Sequence, residues 1–250
     1  GMAPTLILAQ DIYLGLEGIV GFDGAGLGQD LAPLHILALN APEQAPAPGF
    51  NEGCRALATS HGAVLIFDEI RSGFRVSLGG AQQRYGVTPD LAVFGKAMAN
   101  GYPIAAVVGR REVMSVAEKK VFISSTYFPN SLEMVAALKC IEILERDKVL
   151  DSIWARGQGF LDRLHAIVGA SGVACTASGI PPMPFLTFDH DDEGRYKERR
   201  TRFYTEAIRR GLFIQPFHHW YLCHRHTDAD LDKALAVIEE SLATVKKELP

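Results

Sequence analysis

Residues 63–69 read AVLIFDE and residues 91–97 read LAVFGKA. Each is a short apolar run, rich in β-favouring residues, that stops on a chargeable side chain: Asp68 in the first and, after Gly95, Lys96 in the second. A continuous apolar run bounded by polar residues fits a strand buried on both faces. The 28 positions from Asp68 to Lys96 suit one excursion out of a sheet and back. In open α/β sheets ligands bind beyond the carboxyl ends of the strands, so Asp68 and Lys96 fall where a site is expected.

Working outward, the same texture predicts strands over His35–Leu39, Ile104–Val108 and Val121–Ser124, all inside one covered sheet. Helices are predicted over Phe50–His61, stopped by Gly62, and over Ser131–Asp147, with Leu132, Val135, Leu138, Ile141 and Leu144 or Ile143 on one inner face. A further helix over Leu150–Ile167, a strand over Phe185–Phe188 and a charged helix over Arg195–Arg210 follow, the last with Tyr196, Phe203, Ala207 and Ile208 inward. Thr227 and Asp230 spell the T-x-x-D of a capping box and open the final helix. The fold class is α/β, with a boundary at the junction of the two long helices: residues 1–151 form one domain and 152–250 a smaller α+β one.

Composition excludes several classes of function. Of 250 residues 48% are hydrophobic and 22% charged, and the net charge of −4 supplies no field that would gather nucleic acid or anionic lipid. The apolar run Leu6 to Ala9 is too short for a membrane span or a secretion signal, and a cytoplasmic location is expected. Gly1 ahead of Met2 reads as a scar of tag removal. Cys54, Cys140, Cys175 and Cys223 form no CxxC pair and read as reduced thiols. Gly21, Gly24, Gly26 and Gly28 lack the spacing of a dinucleotide loop, which sets aside a nicotinamide-binding domain. His218, His219, His224 and His226 lack the cysteine and carboxylate partners of a zinc site, so no metal is expected.

A strand-end acid and an amine on one sheet edge are two of the three things that pyridoxal 5'-phosphate (PLP) chemistry takes from a protein. The acid keeps the pyridine nitrogen protonated, the amine forms a Schiff base, and an anion cradle holds the phosphate. A buried carboxylate at Asp68 would be offset by a pyridinium N–H, and apolar surroundings at Lys96 would favour the free amine. Each residue alone has a plainer reading: a strand-end carboxylate more often caps a neighbouring helix, and a lone lysine after glycine is usually surface.

Three stretches, LIFDEIRSGFRV (65–76), QRYGVTPDLAVFGKAMANGYPIAAVVGRREVM (83–114) and STYFPNSLEMVAALKCIEILE (125–145), resemble the class III PLP-dependent aminotransferases. The likeness is closest to their glutamate-1-semialdehyde aminomutase-like branch, whose closing pattern resembles GLFIQPFHHWYLCHRHTDADLDKAL (211–235), including a strand spelled P-x-H-x-W. The resemblance implies PLP fold type I, with residues 1–151 a partial large cofactor-binding domain with a mostly parallel sheet. It implies Asp68 at the pyridine nitrogen, Lys96 as the Schiff-base lysine, Ile70 against one ring face, and Thr126 reaching a partner subunit's cofactor phosphate across a homodimer. It further implies a small-molecule amino donor and a keto acceptor as partners.

Two departures from the pattern stand out. Arg71 occupies a position where relatives carry Gln, Met or His, which leaves three readings: a lost contact with the ring hydroxyl, an altered one, or binding of a substrate carboxylate. Nothing between Met2 and His35 matches the family's N-terminal portion, which carries the helix start that cradles the phosphate. A second function therefore stands beside the first: a truncated, catalytically impaired protein that acts through dimer association.

Overall fold

The computed structural model describes residues 36–39, 46–115 and 130–249. The expected strand Val121–Ser124, Thr126 and the glycine cluster at 21–28 lie outside the described residues. The chain divides into two compact units, one holding residues 36–39, 46–115 and 130–147 and the other residues 148–249.

The first unit is a four-stranded sheet in the order β1 (Ile36–Leu39), β2 (Val64–Asp68), β3 (Leu91–Phe94), β4 (Ala106–Gly109). The first three strands are parallel, and β4 runs antiparallel to β3. One side of the sheet packs Leu65 and Phe67 against Ala58 of α1 (Phe50–Ser60), and Ala92 and Phe94 against Ala137 of α4 (Ser131–Arg146). The other side packs Ile66, Leu91 and Val93 against Ile70 and against Val113 and Met114 of α3 (Arg111–Met114). A short helix α2 (Gly80–Tyr85) lies between β2 and β3.

Two expectations fail in this unit. The strand after Pro103 starts two residues later than predicted, at Ala106, and is exposed over Val107–Gly109 where a covered strand was expected. The apolar residues of α4 also do not share an inner face: Leu132, Val135 and Leu138 are 58%, 62% and 69% exposed. The reason is geometric, since at 3.6 residues per turn a strict spacing of three slips by about 60° at each step and winds around the helix. Glu133, Ala137 and Cys140, spaced four and three apart, make the inner stripe instead.

In the second unit, α5 (Val149–Ser171), α6 (Arg195–Arg209) and α7 (Asp228–Glu248) accompany an antiparallel hairpin of β5 (Cys175–Ile180) and β6 (Met183–Phe188). Helix α7 buries Leu235, Ile238, Leu242 and Val245 at spacings of three, four and three, which is one face of a helix. Its start is the capping box read from the sequence: the Asp230 N–H donates to the Thr227 hydroxyl oxygen at 3.2 Å, and the Thr227 N–H donates to the Asp230 carboxylate at 2.8 Å. In α6 the inner set is Arg199, Phe203, Tyr204, Glu206 and Ala207, while Ile208 is exposed. Gly157 lies where α5 meets the hairpin turn, and a Cβ there would collide with the Pro181 carbonyl. The P-x-H-x-W stretch forms no regular strand; the N–H groups of Trp220 and Leu222 donate to the carbonyls of Pro184 and Pro182 at 3.0 and 3.2 Å. Among the described residues no helix is long and apolar enough to cross a membrane, and no group of three His, Cys, Asp or Glu is placed to hold a metal ion.

Candidate active site

The carboxyl ends of β2 and β3 are fixed from below by Asp90, which the sequence reading passed over. Its carboxylate accepts from the Leu65 N–H at 2.8 Å, from Arg55 Nη1 of α1 at 2.8 Å and from Arg110 Nη1 beyond β4 at 3.0 Å. Its own N–H donates to the Leu65 carbonyl. One side chain thus ties α1, β2 and the residue after β4 to the start of β3, which sets the relative height of the two strands. Burial alone would push the Asp90 carboxyl up, but the Leu65 N–H and the two guanidiniums outweigh it and hold it below its ordinary value.

A carboxyl lowered by folding contributes stability that is complete above its ordinary range and is lost as pH falls through its folded value. Asp90→Asn is therefore expected to cost about 1.5–3 kcal/mol at neutral pH and to flatten the acid limb of the stability profile. Urea melts at stepped pH measure both. An acid limb as steep as in the wild type would refute this role for Asp90.

At the top of the sheet, Asp68 pairs in register with Val93 of β3, and Lys96 follows three residues later. At about 3.3 Å per residue the two backbones differ in height by roughly 10 Å or less. Both leave adjacent parallel strands at the same edge. Ile70 meets the ends of both strands: its N–H donates to Asp68 Oδ1 at 3.0 Å, and a Cβ built on Gly95 would sit 3.9 Å from Ile70 Cγ2. Asp68, Ile70 and the Gly95–Lys96 step are therefore brought to one place. Arg71 is half-buried in the turn that follows.

Two details correct the sequence reading. The completely buried acid of the DE pair is Glu69, and Asp68 is only half-buried. Glu69 accepts from the backbone N–H groups of Ala81 and Gln82 at 2.8 and 2.9 Å and from the Ser72 hydroxyl, so it caps the start of α2. The helix-capping role weighed for Asp68 thus belongs to its neighbour. Gly80 (φ +77°) makes this possible, because a Cβ there would collide with the Glu69 carboxylate.

Lys96, expected in desolvating surroundings, is exposed. The chain leaves β3 through Gly95 into a single 3-10 turn, Lys96–Met98, that directs Met98 and Ala99 into the core beside Phe94 and Ala137 and leaves Lys96 outward. Lys96 takes φ +44°, a left-handed conformation unusual for a side-chain-bearing residue. Strand alternation therefore stops at Gly95 and does not carry through to Lys96. From α4, the Cys140 thiol donates to the Ala97 carbonyl at 3.4 Å, and burial pushes that thiol up in pKa, which keeps it protonated as the donor.

An amine, a carboxylate and an aliphatic platform at one sheet edge match the pyridine end of a PLP site in donor chemistry: a nucleophile, an anion for a ring N–H, and an apolar surface for a ring face.

A sequence profile of the class-III aminotransferases matches residues 42–242. The 3-aminobutyryl-CoA aminotransferase of Cloacimonas acidaminovorans (strain Evry) is 54% identical over 224 residues, covering 88% of this chain and 54% of that protein. Among solved structures, the FumI protein of Sphingopyxis sp. MTA144, in its PLP internal aldimine form, superposes with a TM-score of 0.75 at 25% identity, over 85% of this chain and 52% of that one. An omega-transaminase from Sphaerobacter thermophilus gives 0.71 at 27% identity, over 80% and 48%. The chain thus spans about half the length of the relatives it matches.

Proposed function

Because the chain belongs to the class-III aminotransferase family, we propose that it is the lysine-bearing part of a PLP-dependent aminotransferase. The observation that carries this reading is the exit of Asp68 and Lys96 from neighbouring parallel strands at one sheet edge, with Ile70 beside Asp68 and Gly95. PLP bound there would supply the electron sink for charge developing at the substrate Cα.

The remaining work falls to side chains of this chain. The Asp68 carboxylate would hold the ring nitrogen, and its Oδ1 accepts from the Ile70 N–H. The Lys96 Nζ would hold the cofactor, and its amine is the general base for the substrate proton. Ile70 gives an apolar platform that keeps water from one ring face. We assign Thr126 to the phosphate of a partner subunit's cofactor, and Arg71 to the ring hydroxyl or a substrate carboxylate.

The partners are a small-molecule amino donor and a keto acceptor. A 3-amino thioester is the first donor to test, after the name of the 54% identical relative. The aminomutase-like spelling of residues 211–235 favours a shift of the amino group within one molecule instead, which would proceed without an added keto acceptor. Residues 1–151 would hold the cofactor and 152–250 form the small domain. The homodimer is supported by α4: its outer face is apolar at Leu132, Met134, Val135 and Leu138 and turns charged from Lys139 to Arg146, so its first two turns are built to be covered. The four free cysteines, Cys54, Cys140, Cys175 and Cys223, support a cytoplasmic site of action.

The direct test is to add PLP, reduce with borohydride and map the modified peptide. Fixation at Lys96 is expected. Asp68→Asn should keep that fixation and lower the proton-transfer rate by about 10²–10⁴-fold, the usual weight of such a step. A folded chain that fixes no cofactor at Lys96 would end the reading and leave action by association.

A further inference from the structure

On the basis of the aminotransferase reading above, we propose that Phe74 is a positioning residue. Its ring, laid against Phe94, clamps the turn that follows Asp68 at the end of β2 to the turn that opens with Lys96 beyond β3. Strand pairing alone does not hold these turns together. The register of β2 and β3 ends at Asp68 and Val93, and Ile70 and Lys96 both lie past it.

The chain after β2 is folded back toward β3 by two backbone bonds. The Glu69 N–H donates to the Val93 carbonyl at 2.8 Å, and the Gly73 N–H donates to the Glu69 carbonyl at 2.7 Å. Gly73 then passes so close to β3 that a Cβ there would collide with the Phe94 ring. The next residue, Phe74, sets its ring centroid 5.5 Å from that of Phe94 with 55° between the planes, within the range of favourable aromatic pairs. It packs on the cluster that holds Met98 and Ala99, the buried residues of the Lys96 turn. One side chain from the first turn thus rests on the core of the second.

The backbone separates the ring from the turn that bears it. Phe74 takes φ +56°, a left-handed conformation that glycine adopts freely and a bulky side chain rarely does. A turn built only to reverse the chain is served better there by Gly or Asn. The strain is offset by packing on the Phe94 cluster, which only the ring supplies. Released from that contact, the Asp68 carboxylate and the Lys96 amine would lose their fixed spacing, and a misplacement of about 1 Å near a reacting group can cost about 10²-fold in rate.

The test compares Phe74→Leu, Phe74→Gly and Phe74→Tyr with Ile141→Ala, which trims another residue packed on the same cluster; urea melts measure the packing each variant loses. Three amides report on the turns in the cofactor-free chain: that of Ile70, which donates to Asp68, and those of Met98 and Ala99, which donate to the Gly95 and Lys96 carbonyls. All three should exchange about tenfold or more faster in Phe74→Leu and Phe74→Gly. Phe74→Tyr should keep them slow, and Ile141→Ala should leave the Ile70 amide unchanged. With PLP added, Phe74→Leu should need about tenfold more cofactor for half-maximal fixation at Lys96 and transfer amino groups about 10²-fold more slowly, while Phe74→Tyr retains both. Unchanged Ile70 exchange in Phe74→Leu, or equal quickening there in Ile141→Ala, overturns the proposal, since the ring would then be ordinary core. So does slow exchange of both turns in Phe74→Gly, which would place the effect in the backbone. Coupled exchange in a wild-type chain that fixes no PLP at Lys96 sinks the aminotransferase reading and leaves the clamp standing.

Discussion

Lys96→Ala is expected to abolish borohydride-stable retention of PLP and to lower amino transfer by at least about 10²–10⁴-fold, because both the attachment point and the base are removed. The same position separates chemistry from fold. Lys96 holds φ +44° at the head of a turn whose next residues, Met98 and Ala99, are buried. A left-handed residue with a Cβ costs roughly 1–2 kcal/mol, and glycine does not pay that cost. Lys96→Gly should therefore be about 1 kcal/mol more stable than Lys96→Ala, a difference of roughly 2–4 °C in Tm for a chain of this size, though both lack cofactor attachment. Asn100 (φ +48°) is left-handed in the same turn, so the strain is shared along it and does not single out Lys96. Equal melts for the two variants would show that the conformation is relaxed; residual fixation at another lysine in Lys96→Ala would show that the amine was misassigned.

The strands that carry the site were legible because they are buried on both faces. AVLIF and LAVF leave no alternation to interpret, and the predicted and observed ends agree within one residue. The capping box at Thr227 was equally plain, since both halves of its hydrogen-bond exchange are spelled three residues apart. Other features failed for physical reasons. The outward stripe on α4 was misread because apolar residues at a spacing of three mark a helix without marking which side is inside. Strand β5 (CTASGI) went unseen because its small side chains give a weak period of two, and its partner β6 supplies most of the apolar burial. The exposure of Lys96 depends on a left-handed residue that no local composition announces. Asp90 sat inside the motif TPDL, but its partners lie 20 to 35 residues away, and only the fold brings them to it.

The adjacent acids Asp68 and Glu69 make the sharpest case, because one sequence position separates a residue of the site from a residue of the fold. Glu69 is completely buried and satisfies two backbone N–H groups of α2 and the Ser72 hydroxyl. Glu69→Ala strands those donors where water does not reach, and with about 1–3 kcal/mol for each unsatisfied group the expected loss is about 3–5 kcal/mol, a large part of a typical domain's stability. Glu69→Gln keeps one carbonyl oxygen for the α2 amides and should lose roughly half as much. Asp68→Asn is half-buried and retains an oxygen for the Ile70 N–H, so its cost should be about 1 kcal/mol or less, with the damage confined to proton transfer. Urea denaturation of the three variants reads the first quantity and stopped-flow absorbance of the PLP-loaded protein the second. If Asp68→Asn unfolds the chain as readily as Glu69→Ala, the half-buried acid is structural as well, and the division of labour between the two carboxylates is lost; if Glu69→Ala melts like the wild type, the start of α2 does not depend on the contacts that hold it.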